Sequence, residues 1–340
     1  MPVTETDGAP VGVALWGTEP VRAMVGHAST AERVGFESIW LVDTQMICRE
    51  LYVTLAACAA ATETLVLATG VTVPGTRHES VTAAALATLA EYADGRVVAG
   101  ISTGHSAVRN IGGRPATIEQ LADYVGRVRS LLDGRSVSYP RDREGALTWL
   151  DGPTRVPVHI AASGPRLTRA AAAMGDGVIL LQGAAPDLIE RALVMVEEGR
   201  AATGRGPDEI ETTVWVYVGL DDDREQALDQ VRARVAAILR LADPAGFEGE
   251  DREVVERLRR SYDMYAHSAS MPEHASLVPE RMLDRYAIAG TPDEVRVRID
   301  ALRADPRIDR VVVSPQVGSP ALPVTGPFLE RFGAEMLDAR

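Results

Sequence analysis

Apolar residues along this chain fall into two alternating patterns. Short runs rich in Val, Ile and Leu, with little polar alternation, occur at 11–15, 38–42, 65–73, 96–101, 156–161, 177–181, 211–220 and 310–314. Runs of this kind suit parallel strands buried on both faces. Between them lie amphipathic stretches of helical period at 20–34, 51–62, 80–92, 118–132, 166–174, 187–203 and 292–303. Eight strands interleaved with helices are what a (β/α)8 TIM barrel needs, in about 250 residues plus insertions. A doubly wound open sheet is the rival architecture, but it carries a glycine fingerprint after its first strand. Here the first strand runs into Trp16-Gly17-Thr18-Glu19-Pro20, with no such glycines. The expectation is therefore a single α/β domain over residues 1–340, a (β/α)8 barrel.

Two stretches interrupt the alternation. Residues 134–153, rich in Arg, Gly, Asp and Pro, read as an insertion before strand five. Residues 221–289 form a longer insertion after strand seven, with helical patterns at 224–241 and 250–265. Either could form a lid or an oligomer surface, or simply add packing helices.

Composition narrows the chemistry. The 340 residues carry a net charge of −13, which argues against a nucleic-acid backbone or an anionic membrane as partner. All 35 basic residues are Arg, so Schiff-base chemistry and a Walker-type phosphate lysine are excluded. No apolar run is long enough to span a bilayer and the N-terminus has no secretory pattern, so a cytoplasmic chain is expected. Cys48 and Cys58 cannot build a disulfide framework and read as buried thiols. No His, Asp and Glu cluster has metal-ligand spacing.

A barrel builds its site at the C-terminal ends of its strands. That rule selects Trp16 after strand one, Asp43, Thr44 and Gln45 after strand two, and Gly70, Val71 and Thr72 in strand three. It also selects Thr76, Arg77 and His78, then Ser102, Thr103, Gly104, His105 and Ser106 after strand four. Ser163, Gly164, Pro165 and Arg166 follow strand five, Leu181, Gln182 and Gly183 end strand six, and Ser314, Pro315 and Gln316 end strand eight. Ser163-Gly164-Pro165 opens a helix, where free N–H groups and the dipole favour phosphate. Thr103-Gly104-His105-Ser106 adds hydroxyls and a close-approach glycine. Both also read as ordinary turns with an N-cap. Asp43 could meet a polar ring edge or cap a helix. Arg77 and His78 could clamp an anionic substrate or cap the next helix. His105 could be an acid–base group or a solvated loop residue. His159 reads as barrel-lining, His27 lies away from the mouth, and His267 and His274 fall in the long insertion.

At this point the chain resembles a known family. Leu67 to His78 (LATGVTVPGTRH), Asp94 to Ser106 (DGRVVAGISTGHS), Ala161 to Arg166 (AASGPR), Met174 to Leu180 (MGDGVIL) and Ala289 to Glu294 (AGTPDE) are similar, in this order, to the luciferase-like flavin and deazaflavin oxidoreductases. The branch most like it is the methylenetetrahydromethanopterin reductase-like one, which uses the deazaflavin coenzyme F-420. The resemblance implies a ring bound at the barrel mouth and a non-prolyl cis peptide at Gly70–Val71 behind it. It implies that Asp43, Thr72, Thr103 to Ser106, Ser163 to Pro165 and Leu181 to Gly183 line the cofactor. Trp16, Thr44, Arg77 and His78 then face the substrate.

The chain also departs from the family. Thr44 stands where many members have His after the acidic residue, Ala14 where the reductases have a carboxylate, and His105 where several relatives have Glu or Asp. His105, with Asp43, is then the replacement candidate for acid–base work. The expected activity is hydride transfer between reduced F-420 and a C=C, C=N or C=O group of a small organic substrate. A reduced-FMN monooxygenase using dioxygen is the alternative, and a cofactor-binding relative without catalysis the second. A homodimer is expected from family habit.

Overall fold

The computed structural model describes residues 8–261 and 273–337. Eight parallel strands close into a barrel: β1 (Val11–Trp16), β2 (Ser38–Val42), β3 (Val66–Thr69), β4 (Val97–Ile101), β5 (Val158–Ala162), β6 (Gly177–Leu180), β7 (Glu211–Leu220) and β8 (Arg310–Ser314). Each pairs with the next, and β8 returns to β1 with Val311 opposite Val11. Every position of β4, β6 and β8 is buried, because helices cover the barrel outside while side chains fill it inside. The fold is the expected TIM barrel.

The helices start where their sequences supply caps. Thr117 and Gln120 form a reciprocal capping box that starts Ile118–Leu132, and Thr291 with Glu294 does the same for Pro292–Arg303, where Pro292 sits in the first turn. Both helices have the bounds the pattern predicts.

The barrel interior is filled mainly by two indoles. Trp40 from β2 and Trp215 from β7 meet edge to face with ring centroids 6.3 Å apart, among Ala14, Ala68, Val98, Ile179 and Val312. Trp40 is fully buried, and its Nε1–H donates to Ser38 Oγ at 2.9 Å. Below them His159 is also fully buried, as expected of a barrel-lining residue, with its ring 6.1 Å from that of Trp40. At the N-terminal end Arg310 joins β8 to the start of β2 through Glu37 at 3.0 Å and to β7 through Glu211 at 3.1 Å.

Four features depart from the sequence pattern. β3 stops at Thr69, because the Gly70–Val71 peptide is cis and Thr72 rejoins β4 only through a bridge to Ile101. A short strand at Ala287–Gly290 pairs with the far end of β7, inside the long insertion. A helix at Thr325–Met336 follows β8; Gly326, Pro327 and Gly333 interrupt its apolar period. Cys58 is fully buried but Cys48 only half-buried, and both are free thiols. The 134–153 insertion holds a hairpin (Val137–Tyr139 with Arg143–Gly145) pinned by Arg127, which donates to the Ser138 carbonyl and lies 4.8 Å above the Tyr139 ring. The second helical pattern of the long insertion runs Gly249–Ser261; its remainder and His267 lie outside the described residues. Among the described residues no helix is long and apolar enough to cross a membrane.

Two stability predictions follow from the interior. Trp40→Ala should cost about 3–5 kcal/mol in urea unfolding, since nothing nearby can refill the space. Burial, only partly offset by Glu211, pushes the His159 pKa down to about 4. Its folded pKa lies below its unfolded value near 6.5, so stability is complete above that pH. It falls as pH drops towards 4, by up to about 1.4 kcal/mol per unit. His159→Phe should flatten this slope, read from urea midpoints at pH 7 and pH 5; an unchanged slope contradicts it.

Candidate active site at the barrel mouth

The strand ends converge on one polar opening. After β2, Asp43 is 5% exposed and accepts from Gln45 Nε2 at 3.0 Å and from Arg77 Nη1. Thr44 is buried beside it, and its carbonyl accepts from the Cys48 N–H at 2.9 Å. Burial raises the Asp43 pKa, and Arg77 pulls against it. For Arg77, burial disfavours the charge, but Asp43 and Glu50 more than offset this and raise its pKa. Arg77 therefore faces protein carboxylates rather than open space.

After β3, Gly70 sits against the indole floor: a Cβ there would stand 2.9 Å from Trp215 Cη2. The Thr72 N–H donates to the Gly100 carbonyl at 2.9 Å, and its fully buried hydroxyl faces the Tyr52 phenol. After β4, the Thr103 carbonyl accepts from the Ala116 N–H at 2.9 Å. Gly104 turns with φ +82°, a conformation that favours glycine, and a Cβ on it would press on Val73 at 3.2 Å. His105 and Ser106 then begin the short turn Ser106–Arg109.

After β5, Gly164 has open space where a Cβ would be, and Pro165 begins Pro165–Met174. The Gly164 carbonyl accepts from both the N–H and the hydroxyl of Thr168 at 2.9 Å. After β6, Leu181 packs with the interior cluster and Gln182 Nε2 donates to Thr168 Oγ1 at 2.8 Å, tying two strand ends together. Gly183 is different. Its φ is +123°, and its Cβ side faces Leu188 and the Arg285 carbonyl, so it serves a packing seam. Ser314 Oγ, at the end of β8, is buried without a hydrogen-bond partner among the described residues.

His78 does not join this opening. Its Nδ1 lies 2.8 Å from Ser80 Oγ, it caps Glu79–Tyr92, and its ring stacks towards Tyr139 at 5.5 Å. It lines a separate cavity of about 250 Å³ beside the hairpin. The capping alternative describes it. His27 faces Glu19 at 3.2 Å, away from the mouth.

The long insertion supplies what the strand-end rule missed. Arg224–Leu239 crosses the mouth, and Arg234, only 3% exposed, lies 4.8 Å above the ring of Trp16. Arg240, at its end, brings Nη2 to 3.4 Å from His105 Nδ1. A guanidinium only donates, so Nδ1 accepts and the imidazole proton sits on Nε2. Burial, then Arg240 and Arg109, push the His105 pKa down to about 4. The signal in the sequence was an Arg pair six residues apart on a helical pattern of the insertion, for which a lid was one of three readings. Among the described residues no group of three His, Cys, Asp or Glu could hold a metal ion.

A model of the luciferase-like monooxygenase family matches residues 4–310. The chain belongs to this family. The 5,10-methylenetetrahydromethanopterin reductase of Archaeoglobus fulgidus is 29% identical to this luciferase-like chain over 323 residues, 92% of this chain and 93% of the relative. The F-420-dependent glucose-6-phosphate dehydrogenase of Nakamurella multipartita is 33% identical over 239 residues, 65% of this chain and 70% of the relative. In fold, the chain is similar to the coenzyme F-420-dependent tetrahydromethanopterin reductase of Methanopyrus kandleri. The TM-score is 0.78 at 22% identity, with 98% of this chain and 99% of that one covered.

The electrostatics give a direct prediction. In a proton NMR titration the His105 ring should titrate near pH 4, and Arg240→Gln should move its midpoint up. A wild-type midpoint at 6.5 would remove the case for a neutral His105.

Proposed function

We infer that this chain is an F-420-dependent oxidoreductase, moving a hydride between the reduced deazaflavin and a C=C, C=N or C=O group of a small organic molecule. The carrying observation is its likeness, over more than nine tenths of its length, to a methylenetetrahydromethanopterin reductase. The second relative supports it, being F-420-dependent with a different substrate. The expected homodimer and cytoplasmic location belong to the same reading.

The residues present fit such a group. The buried hydroxyl of Ser314 lacks a protein partner among the described residues, as a group awaiting a polar ligand does. The open side of Gly164 leaves the first N–H groups of Pro165–Met174 reachable by a phosphate. When bound, F-420 supplies a two-electron hydride carrier. Thr72, Thr103, Gly104 and Ser106 would hold it on one side, with Ser163, Gly164, Pro165, Leu181 and Gln182 on the other. Gly70 and Val71 would back it. Trp16 and Thr44 would face the substrate.

His105 offers a neutral Nε2–H at pH 7. It would donate a hydrogen bond to the substrate's reacting oxygen or nitrogen, while the proton that completes the reduction would come from solvent. Asp43, at the end of β2, would be the acidic partner. Arg234 over Trp16 helps close the mouth to water.

The test is titration of the purified apo-protein with F-420 and, separately, FMN, followed by fluorescence. Micromolar or tighter F-420 binding with weak FMN binding is expected. Preference for FMN, with oxygen uptake by the reduced complex, would replace this reading with the monooxygenase one. Binding of neither would leave a relative without catalysis.

A further inference from the structure

We propose that Arg77 is a positioning residue for Asp43 rather than a substrate clamp: shared between Asp43 and Glu50 and seated on Tyr52, it is the counter-ion that fixes the charge and orientation of the Asp43 carboxylate.

The geometry leaves little freedom at this guanidinium. Nη1 meets Asp43 Oδ2, and Nη2 donates to Glu50 Oε1 at 2.7 Å. A fork-like grip on a substrate anion uses paired nitrogens, and both terminal ones already face protein carboxylates. The guanidinium carbon lies 5.1 Å from the ring centroid of Tyr52, which is itself buried. The backbone is held too. The Arg77 carbonyl accepts from the Tyr124 hydroxyl at 3.2 Å, and that hydroxyl lies 2.6 Å from Thr82 Oγ1. Glu50 is anchored as the cap of Leu51–Ala59, accepting from the Val53 N–H at 2.8 Å. Three elements thus fix one cation against one buried acid.

The surroundings of Asp43 make that cation matter. Facing it are Arg77 from the β3 loop, Glu50, Gln45 and Cys48 from its own loop, and the phenols of Tyr52 and Tyr124 from two helices. Arg77 is the cation bonded to Asp43; Arg234, from the insertion helix, acts on the neighbouring Cys48. Burial alone drives a carboxyl towards its neutral form, and a like charge at Glu50 adds to this. With Arg77 gone, Asp43 would accept a proton at much higher pH and would lose the contact that orients Oδ2. A neutral acid would then present a donor where the site is built around an acceptor.

This inference rests on the proposed function only in giving Asp43 a place at the cofactor or substrate. Its test begins on the apo-protein. Infrared difference titration of the wild type against Asp43→Asn isolates the Asp43 carboxyl band. In Arg77→Met its midpoint should rise by about 1–3 pH units. In Arg77→Lys, which keeps the charge, it should stay nearer the wild type. In Glu50→Gln, whose site is half exposed and tolerant, it should fall, because a like charge is removed. The second reading is F-420 affinity by fluorescence at pH 5 and pH 8. Arg77→Met should bind at least tenfold more weakly at pH 5 than at pH 8, with a smaller difference in the wild type. Unmoved midpoints in Arg77→Met and Glu50→Gln, with native circular dichroism, would overturn the proposal. A raised substrate KM in Arg77→Met with an unmoved Asp43 midpoint would make Arg77 a clamp after all. Failure of the wild type to bind F-420 would overturn the cofactor reading alone, since the infrared titration decides the role of Arg77 without it.

Discussion

Two indoles in contact set the height of the site. Trp40 and Trp215 close the barrel interior edge to face, and no ligand can sink below them. The end of β3 is shaped by this floor. Gly70 lies so close to it that a side chain would meet Trp215 at 2.9 Å and Trp40 at 3.2 Å. The chain therefore turns there on glycine, and Val71 and Thr72 rise into the mouth. The same floor separates two polar worlds. Below it, Arg310, Glu37 and Glu211 bind the strand starts together, beside the buried, neutral ring of His159. Above it, Asp43, His105 and the strand-end loops are left for chemistry.

At the mouth, burial and countercharge compete at each ionisable group. Asp43 is buried and offset by Arg77. His105 is half-buried and faced by cations, so both effects act in the same direction and it stays neutral. The result is an acceptor at Asp43, held by Arg77, and a neutral donor at His105. Reduction of a polarised double bond needs such an environment, with water kept out and the cofactor supplying the electrons. Burial also pushes the thiols of Cys48 and Cys58 up, to about 11 and about 12, so neither is a nucleophile near neutral pH.

Much of the fold was legible because buried parallel strands read as unbroken Val, Ile and Leu runs. The strand-end rule then brought Asp43, Thr72, His105 and Gly164 to one opening without any structure. What stayed hidden depends on long-range packing. Arg77 read as a clamp or a helix cap because its partners, Asp43 and Glu50, lie 34 and 27 residues away. Gly183 read as cofactor-facing because the seam with Arg285 joins it to a segment about a hundred residues on. Arg234 and Arg240 were lost inside an insertion whose direction no local pattern encodes. The strand at Ala287–Gly290 was hidden for the same reason: only the long β7 gives it a partner.

The central claim is that this mouth holds a deazaflavin. The most direct measurement is a crystal structure of the protein grown with saturating F-420. The account predicts ring density above the Trp40–Trp215 floor against Gly70–Val71, with a phosphate near the N-terminus of Pro165–Met174. An empty mouth at saturation, or a ring bound elsewhere on the protein, would contradict it.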